Sequence, residues 1–259
     1  MFNIVYPMFE RGRIMKKELL LALRDYSFGF AQLQYANLTD GIIAGCDISV
    51  TDKRLTVGPG IAKFNRFIYM MTEPQHVYYE PNEQFTSVKI RFSTTAAATT
   101  DFVKYSGNIL LDEQISLREN ELEVCRFKLK RGSRLRNDYT GFEDIQTEFD
   151  TVNLADATWS GPDRPGICNV ILKSFAKESI PCFLTDPWDI SFCNQVLTAG
   201  GIPHRSVIEA YIASHKTIAA GEKSNVQIYE DLNRILVRIK ENSGIKGPGN
   251  RKKFSIEMN

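Results

Sequence analysis

The sequence predicts an α+β fold: an N-terminal amphipathic helix, a small antiparallel β-sandwich or barrel, and a C-terminal helical bundle. Three observations predict it. Apolar residues recur at three- and four-residue spacings between residues 10 and 36, the period of a helix face. From 38 to about 150, short β-branched and aromatic runs alternate with Gly, Asp and Asn turns, as strands do. From about 165 the helical period returns. These changes divide the chain into a docking segment (1–37), a β-module (38–155), a helical unit (156–243) and a basic tail (244–259) expected to be flexible.

In the first segment, Pro7 sets an extended lead-in, because proline disfavours helix at the residue before it. Ile14, Leu19, Leu20, Leu23, Phe28 and Phe30 then lie among Lys and Arg, and a break is expected near Ser27 or Gly29. The apolar run Leu19–Leu23 is followed at once by Arg24 and Asp25. It is too short to span a bilayer and lacks the layout of a secretory signal. The expectation is a soluble chain, not exported by the standard route and not inserted in a membrane.

In the β-module, Gly58-Pro59-Gly60 poses a choice between a phosphate-cradling loop and a turn. A phosphate loop needs a helix after the glycines and free backbone N–H groups. Ile61, Phe64, Phe67, Ile68 and Tyr69 follow instead, and Pro59 removes a donor, so a turn between strands is predicted. In "SVKIRFS" Val88, Ile90 and Phe92 share one face and Lys89 and Arg91 the other. In "ELEVCRFKLKRG" Leu122, Val124, Arg126, Lys128 and Lys130 alternate with Glu123, Cys125, Phe127 and Leu129. Both keep the period of two of half-buried antiparallel strands, and six or seven strands are expected in all. "TTAAATTD" (94–101) reads as a flexible excursion from the sheet.

Four helices are predicted beyond residue 165. "VILKSFAKES" is ended by Pro181, and "DPWDISFCNQVLTAGG" starts on Asp186 as N-cap with Pro187 at its first position. Trp188 is expected to pack, and Gly200-Gly201 to stop the helix. "PHRSVIEAYIASH" and "SNVQIYEDLNRILVRIKEN" supply the others, the last carrying Val226, Tyr229, Leu232, Ile235, Leu236 and Ile239 on one face.

Composition and motifs argue against chemistry. The 259 residues carry a net charge of +1, so attraction to a polyanion would have to be local. Five cysteines at irregular spacings and three histidines give no paired zinc-ligand pattern, and buried free thiols are expected. No G-x-S-x-G, G-x-x-x-x-G-K-[ST] or G-x-G-x-x-G occurs. "FEDIQTEFD" (Glu143, Asp144, Glu148, Asp150) is a carboxylate cluster that follows a basic run able to pair with it. His204 and His215 read as surface or capping residues. No catalytic, cofactor-binding or metal-binding residue is therefore assigned. The stretch Cys125–Arg136 holds Arg126, Lys128, Lys130, Arg131, Arg134 and Arg136 without an acid. Such a stripe could track phosphates, but with Phe127 on the opposite face it lacks the stacking platform of a single-strand binder. An acidic protein partner, or the carboxylate cluster itself, is the favoured reading, and nucleic acid the alternative. Lys246, Arg251, Lys252 and Lys253 make a second basic patch in the tail.

The segments "YPMFERGRIMKKELLLALRDY", "DGIIAGCDISVTDKRLTVGPGIAKFNRFIYM" and "LEVCRFKLKRGSRLRNDY", and more weakly "VILKSFAKE" and "DISFCNQVL", resemble baseplate-region structural proteins. That family belongs to contractile phage tails and phage-tail-like bacteriocin particles of Gram-positive, especially clostridial, bacteria. Its members sometimes carry a helicase label, for which this sequence has no nucleotide-binding motif. The resemblance implies a non-enzymatic subunit without a cofactor, docked to other baseplate and tail-fibre proteins in multiple symmetric copies. It also implies synthesis in the bacterial cytoplasm, assembly into the particle and release by lysis. Candidate partner-binding anchors are Tyr6, Phe9, Phe28, Phe30 and Tyr35, with Phe64, Phe67 and Tyr69 after the turn; burial in the core is the alternative for each. Arg66 stands where a glycine would make a tighter hairpin turn.

Overall fold

The computed structural model describes residues 4–198, 203–215 and 222–243. The glycine stop at 200–201 and the basic tail lie outside them. Helix α1 (Lys17–Gln34) runs unbroken. At the expected break, the Ser27 hydroxyl donates to the Leu23 carbonyl at 2.8 Å, and one interior glycine costs only about 1 kcal/mol.

Eleven strands follow among the described residues, more than the sequence suggests, because many have only four or five residues. They are β1 (Gly41–Gly45), β2 (Ile48–Thr51), β3 (Arg54–Val57), β4 (Gly60–Phe64), β5 (Phe67–Met71), β6 (Gln75–Tyr78), β7 (Phe85–Phe92), β8 (Ala97–Ala98), β9 (Val103–Lys104), β10 (Gly107–Asp112) and β11 (Glu121–Lys128). They form three three-stranded antiparallel sheets, β1-β4-β5, β2-β3-β6 and β10-β7-β11, and a β8-β9 ribbon. No closed barrel forms among them. The "TTAAATTD" excursion contains β8, and its ribbon is exposed.

Gly58-Pro59-Gly60 is a turn, and it crosses from β3 in one sheet to β4 in another. The Cys46 N–H donates to the Pro59 carbonyl at 2.9 Å and the Gly58 N–H to the Asp47 carbonyl at 2.8 Å. Gly45 sits opposite with φ +68°, where any Cβ would run into the Pro59 carbonyl. The β4–β5 hairpin turns on Asn65 (φ 45°) and Arg66 (φ 69°). Both are left-handed, as a two-residue primed turn demands, so Arg66 occupies a conformation that suits glycine.

Lys89 corrects the expectation of a solvated face on β7. Its side chain is fully buried, and its ammonium donates to the Gln114 and Ser116 carbonyls at 2.5 and 2.9 Å. It also reaches Asp112 and Glu121, both at 3.3 Å. Arg91 completes the cluster on Glu121 at 2.7 Å. β11 departs from simple alternation as well. A bulge between Glu123 and Cys125 interrupts its register with β7, and residues 121–125 are all buried.

The helices are α2 (Asn169–Ser179), α3 (Pro187–Thr198), α4 (Arg205–Ser214) and α5 (Asn225–Asn242). Asp186 caps α3 by accepting the Trp188 N–H at 2.8 Å, but Trp188 is exposed rather than packed. A capping box of Ser224 and Gln227 starts α5, whose predicted stripe is buried from Tyr229 to Ile239. One hydrophobic core runs from the sheets into these helices. Phe142, in a 3-10 turn, stacks on Tyr229 at 4.8 Å and meets Phe175 edge-on, and Phe192 stacks on Tyr211 at 4.0 Å. Buried Arg205 ties the linkers by donating to the Pro165 carbonyl at 2.9 Å and Asn225 at 2.7 Å.

Burial opposes ionisation of Glu121, but the Arg118 N–H, Arg91 and Lys89 outweigh it and hold the carboxyl at about 2. Asp144 is likewise held at about 2, chiefly by Arg136. Groups depressed in this way stabilise the fold fully above the ordinary carboxylate range and lose that contribution as pH falls towards 2. Glu123 is pushed the other way by burial, so a difference between proteins isolates the effect. The melting temperature of wild type should fall steeply between about pH 4.5 and 2. Glu121→Gln should lower it at neutral pH and flatten that fall; parallel curves would refute the ion cluster. Arg66→Gly should stabilise by about 0.5–1 kcal/mol in denaturant titrations, by relieving the left-handed backbone.

Candidate docking surface

Helix α1 is amphipathic, yet none of its residues is buried. Leu20, Leu23, Tyr26, Phe28, Phe30 and Leu33 are all exposed, and so are Ile4, Val5, Tyr6, Met8 and Phe9 ahead of the helix. Soluble chains rarely leave that much contiguous apolar surface uncovered without a use for it.

The helix is held by its C-terminal end. Lys63, buried on β4, donates to the carbonyls of Tyr35, Ala36 and Leu38 at 2.9, 2.9 and 2.5 Å. Tyr35 is the C-cap of α1 and Ala36 and Leu38 follow it, so the ammonium ties down the connector just past the helix, and its charge suits the negative end of the helix dipole. The chain just beyond is pinned in turn: the Thr39 N–H donates to the Gly161 carbonyl at 2.9 Å, and Asp40 accepts the Asn65 N–H at 3.0 Å.

The candidate anchors fall into two groups. Tyr6, Phe9, Phe28, Phe30 and Phe67 are exposed, and Phe67 stacks on Tyr105 at 4.5 Å. Tyr35, Phe64 and Tyr69 are half-buried; Phe64 and Tyr69 both pack on Phe92, at 4.4 and 4.6 Å, and so support the core. Tyr26, Leu33 and, on β5 and the ribbon, Met70, Phe102 and Val103 are exposed apolar residues not singled out from the sequence. Tyr26 and Leu33 were legible in the helical spacing; the ribbon residues became visible only with the fold. A cleft of about 400 Å³ between β5 and β10 is lined by Tyr69, Met71, Ile90, Phe92, Tyr105 and Ile109 among others. No carboxylate or imidazole lines it.

The basic stretch is matched by acid. Arg126 makes a bidentate pair with Glu123 at 2.6 Å and reaches Asp156 at 3.3 Å. Lys128 meets Glu148 at 3.2 Å and lies over the Phe149 ring, as does the Lys130 ammonium. The Lys130 N–H donates to Asp150 at 3.0 Å. Arg131 lies 3.9 Å from Glu83, Arg134 pairs with Asp52, and Arg136 is bidentate to Asp144 at 2.5–2.6 Å. Three of these carboxylates, Asp144, Glu148 and Asp150, belong to "FEDIQTEFD".

The histidines have structural partners. His204 caps α4 by accepting from Ser206, and His215 lies 3.1 Å from Asp189, which also accepts from Tyr211 at 2.7 Å. Described cysteines are free and buried; burial pushes Cys46 and Cys168 up to about 11 and Cys193 up to about 12. Among the described residues no group of three or more His, Cys, Asp or Glu could hold a metal ion. No described helix is long and apolar enough to cross a membrane.

No protein-family model matches the chain, and no curated protein does. Solved structures with a loosely similar fold include a chain of the type VI secretion system TssK–TssF–TssG baseplate subcomplex. It is 10% identical at a TM-score of 0.39, covering 92% of this chain and 100% of that one. TssK in crystal form is 9% identical at a TM-score of 0.42, covering 94% and 70%. A chain of the baseplate complex of the same kind of system is 10% identical at a TM-score of 0.32, covering 91% and 100%. With every TM-score below 0.5, these likenesses establish neither family nor function.

Replacing Lys63 by Met removes its donor from the Ala36 and Leu38 carbonyls, the Tyr35 carbonyl keeping the Leu38 N–H, a loss of about 1–3 kcal/mol for each group left unpaired. Limited proteolysis should then cut between residues 34 and 40 at least tenfold faster than in wild type and leave a resistant body. Equal cleavage rates would show that α1 is held by something else.

Proposed function

We propose that this chain is a non-enzymatic structural subunit of a contractile-tail baseplate, linking tail or wedge proteins to fibres by protein–protein docking. The observation that carries the proposal is α1: an 18-residue amphipathic helix with no buried residue, fixed at one end by Lys63. A monomer gains nothing from such an arm, whereas an adaptor needs an apolar anchor held clear of its own core. The motifs resembling baseplate-region proteins of phage tails and phage-tail-like particles point the same way. In this reading residues 1–37 form the arm and 38–155 a β-module that docks through Phe67 and its neighbours. Residues 156–243 form a helical unit. The protein is made in the bacterial cytoplasm and incorporated in several symmetric copies into a particle released by lysis.

Binding to nucleic acid through residues 126–136 is the weaker reading, because the paired carboxylates already neutralise most of that stretch. Such binding would weaken steeply with salt.

A chain lacking residues 1–36 should fold but be missing from purified particles, read by mass spectrometry and negative-stain imaging. Particles from cells without the gene should lack baseplates or fibres. Normal occupancy of the shortened chain would overturn the docking role of the arm. Intact particles without the gene would overturn the baseplate reading.

A further inference from the structure

The geometry points to a specific occupant for one face of the arm: the α1 helix of a second copy of this chain. This deepens the docking role proposed above and can fail without it. Leu19, Leu23, Tyr26, Phe30 and Leu33 follow one another at spacings of four, three, four and three. That is the repeat with which two helices keep a common seam. Four of the five are exposed, from 44% at Leu23 to 80% at Leu33, and Tyr26 and Phe30 stack at 6.4 Å, so they already form one surface.

The flanks decide the occupant. A helix that selects a different partner carries charges beside its seam that the partner complements. Here the flanking positions are Leu20, Ser27 and Gln34 on one side and Ala22 and Gly29 on the other. None is charged, so nothing repels an identical helix, and the small residues on one side allow close approach. The nearest charges on the exposed turn, Arg24 and Asp25, pair with each other at 2.6 Å. Aromatic residues cover about 150–250 Å² each when buried. Tyr26, Phe30 and three leucines would therefore bury roughly 500 Å² per copy, about 1,000 Å² in all and near the lower bound for a specific interface. Phe28 lies on the side of the helix away from this seam, left for a different subunit.

Sedimentation equilibrium of the full-length chain should give a dimer or larger assembly at about 50 µM, and Leu23→Glu with Phe30→Glu should weaken it more than tenfold. Because α1 buries no residue, circular dichroism and melting of that variant should otherwise match wild type. A second pair of variants decides the matter even if it misfolds. Under mild oxidation Tyr26→Cys should form a disulfide-linked dimer, and Phe28→Cys should not, the native thiols being buried. A monomeric wild type, self-association indifferent to the two glutamates, or cross-linking at 28 in place of 26 would each overturn the inference. If the shortened chain lacking residues 1–36 still failed to enter particles, the arm would dock on another subunit and the functional proposal would stand.

Discussion

The ammonium of Lys63 is the fixed point between two parts of the molecule that otherwise share little. It sits on the middle strand of the β1-β4-β5 sheet and takes up three carbonyls of the chain just past α1. Without a cation there, the carbonyls of the connector just past the helix would have to find water at a half-buried site, where unpaired carbonyls are costly. With it, the direction of the arm is set by the sheet. An arm whose orientation is set before binding loses less entropy on docking than a tethered one, so the rigidity of this joint is itself part of how the apolar surface would work.

The same device recurs. Lys89 gathers two loop carbonyls and two carboxylates under the β10-β7-β11 sheet, and Arg205 gathers linker carbonyls between the helices. The sheets have only three strands each, so much of the backbone lies in connections that no ladder satisfies. Long cationic side chains carry several donors apiece and reach those carbonyls from a neighbouring element. Such clusters add less net stability than an apolar core of equal volume, because each ion gives up its hydration. What they enforce is geometry: once the ammonium is buried, every alternative loop position leaves a charge unpaired.

That is also where the sequence stops being legible. The helices could be read because α2 to α5 bury one stripe each, and α5 shows its stripe residue by residue. Strand character from Gly41 to Lys128 was equally plain, but not the number of strands, since four-residue pieces leave little room for alternation. Lys89 was placed on a solvated face because alternation assumes that only one side of a strand is covered; both faces of β7 are. For the basic stretch the pairing with "FEDIQTEFD" was legible, since Asp144, Glu148 and Asp150 follow it closely; the pairs with Glu83 and Asp52 were not, because those partners lie far back along the chain. Of the candidate surface, the aromatic residues of the arm were visible as types at positions. Their exposure was not, because an amphipathic stripe reads the same whether its own core or another molecule covers it.

The contrast between α1 and α5 sharpens this last point. Both are 18-residue amphipathic helices. In α5 the stripe disappears against α2, α4 and the Phe142 turn, and Tyr229 donates to the Phe142 carbonyl at 2.7 Å. In α1 Leu19 and Leu21 are half-buried, but the six largest exposed side chains forgo most of the hydrophobic energy, about 25 cal/mol per Å², that burial returns. Isolated helices of this length are marginal in water, so the sequence holds α1 in place with a backbone device at one end and leaves its side chains uncommitted. The free energy withheld from folding is then available for assembly. That division suits a subunit whose stable state is the assembled one, and it ties the exposed stripe to the buried lysine that supports it.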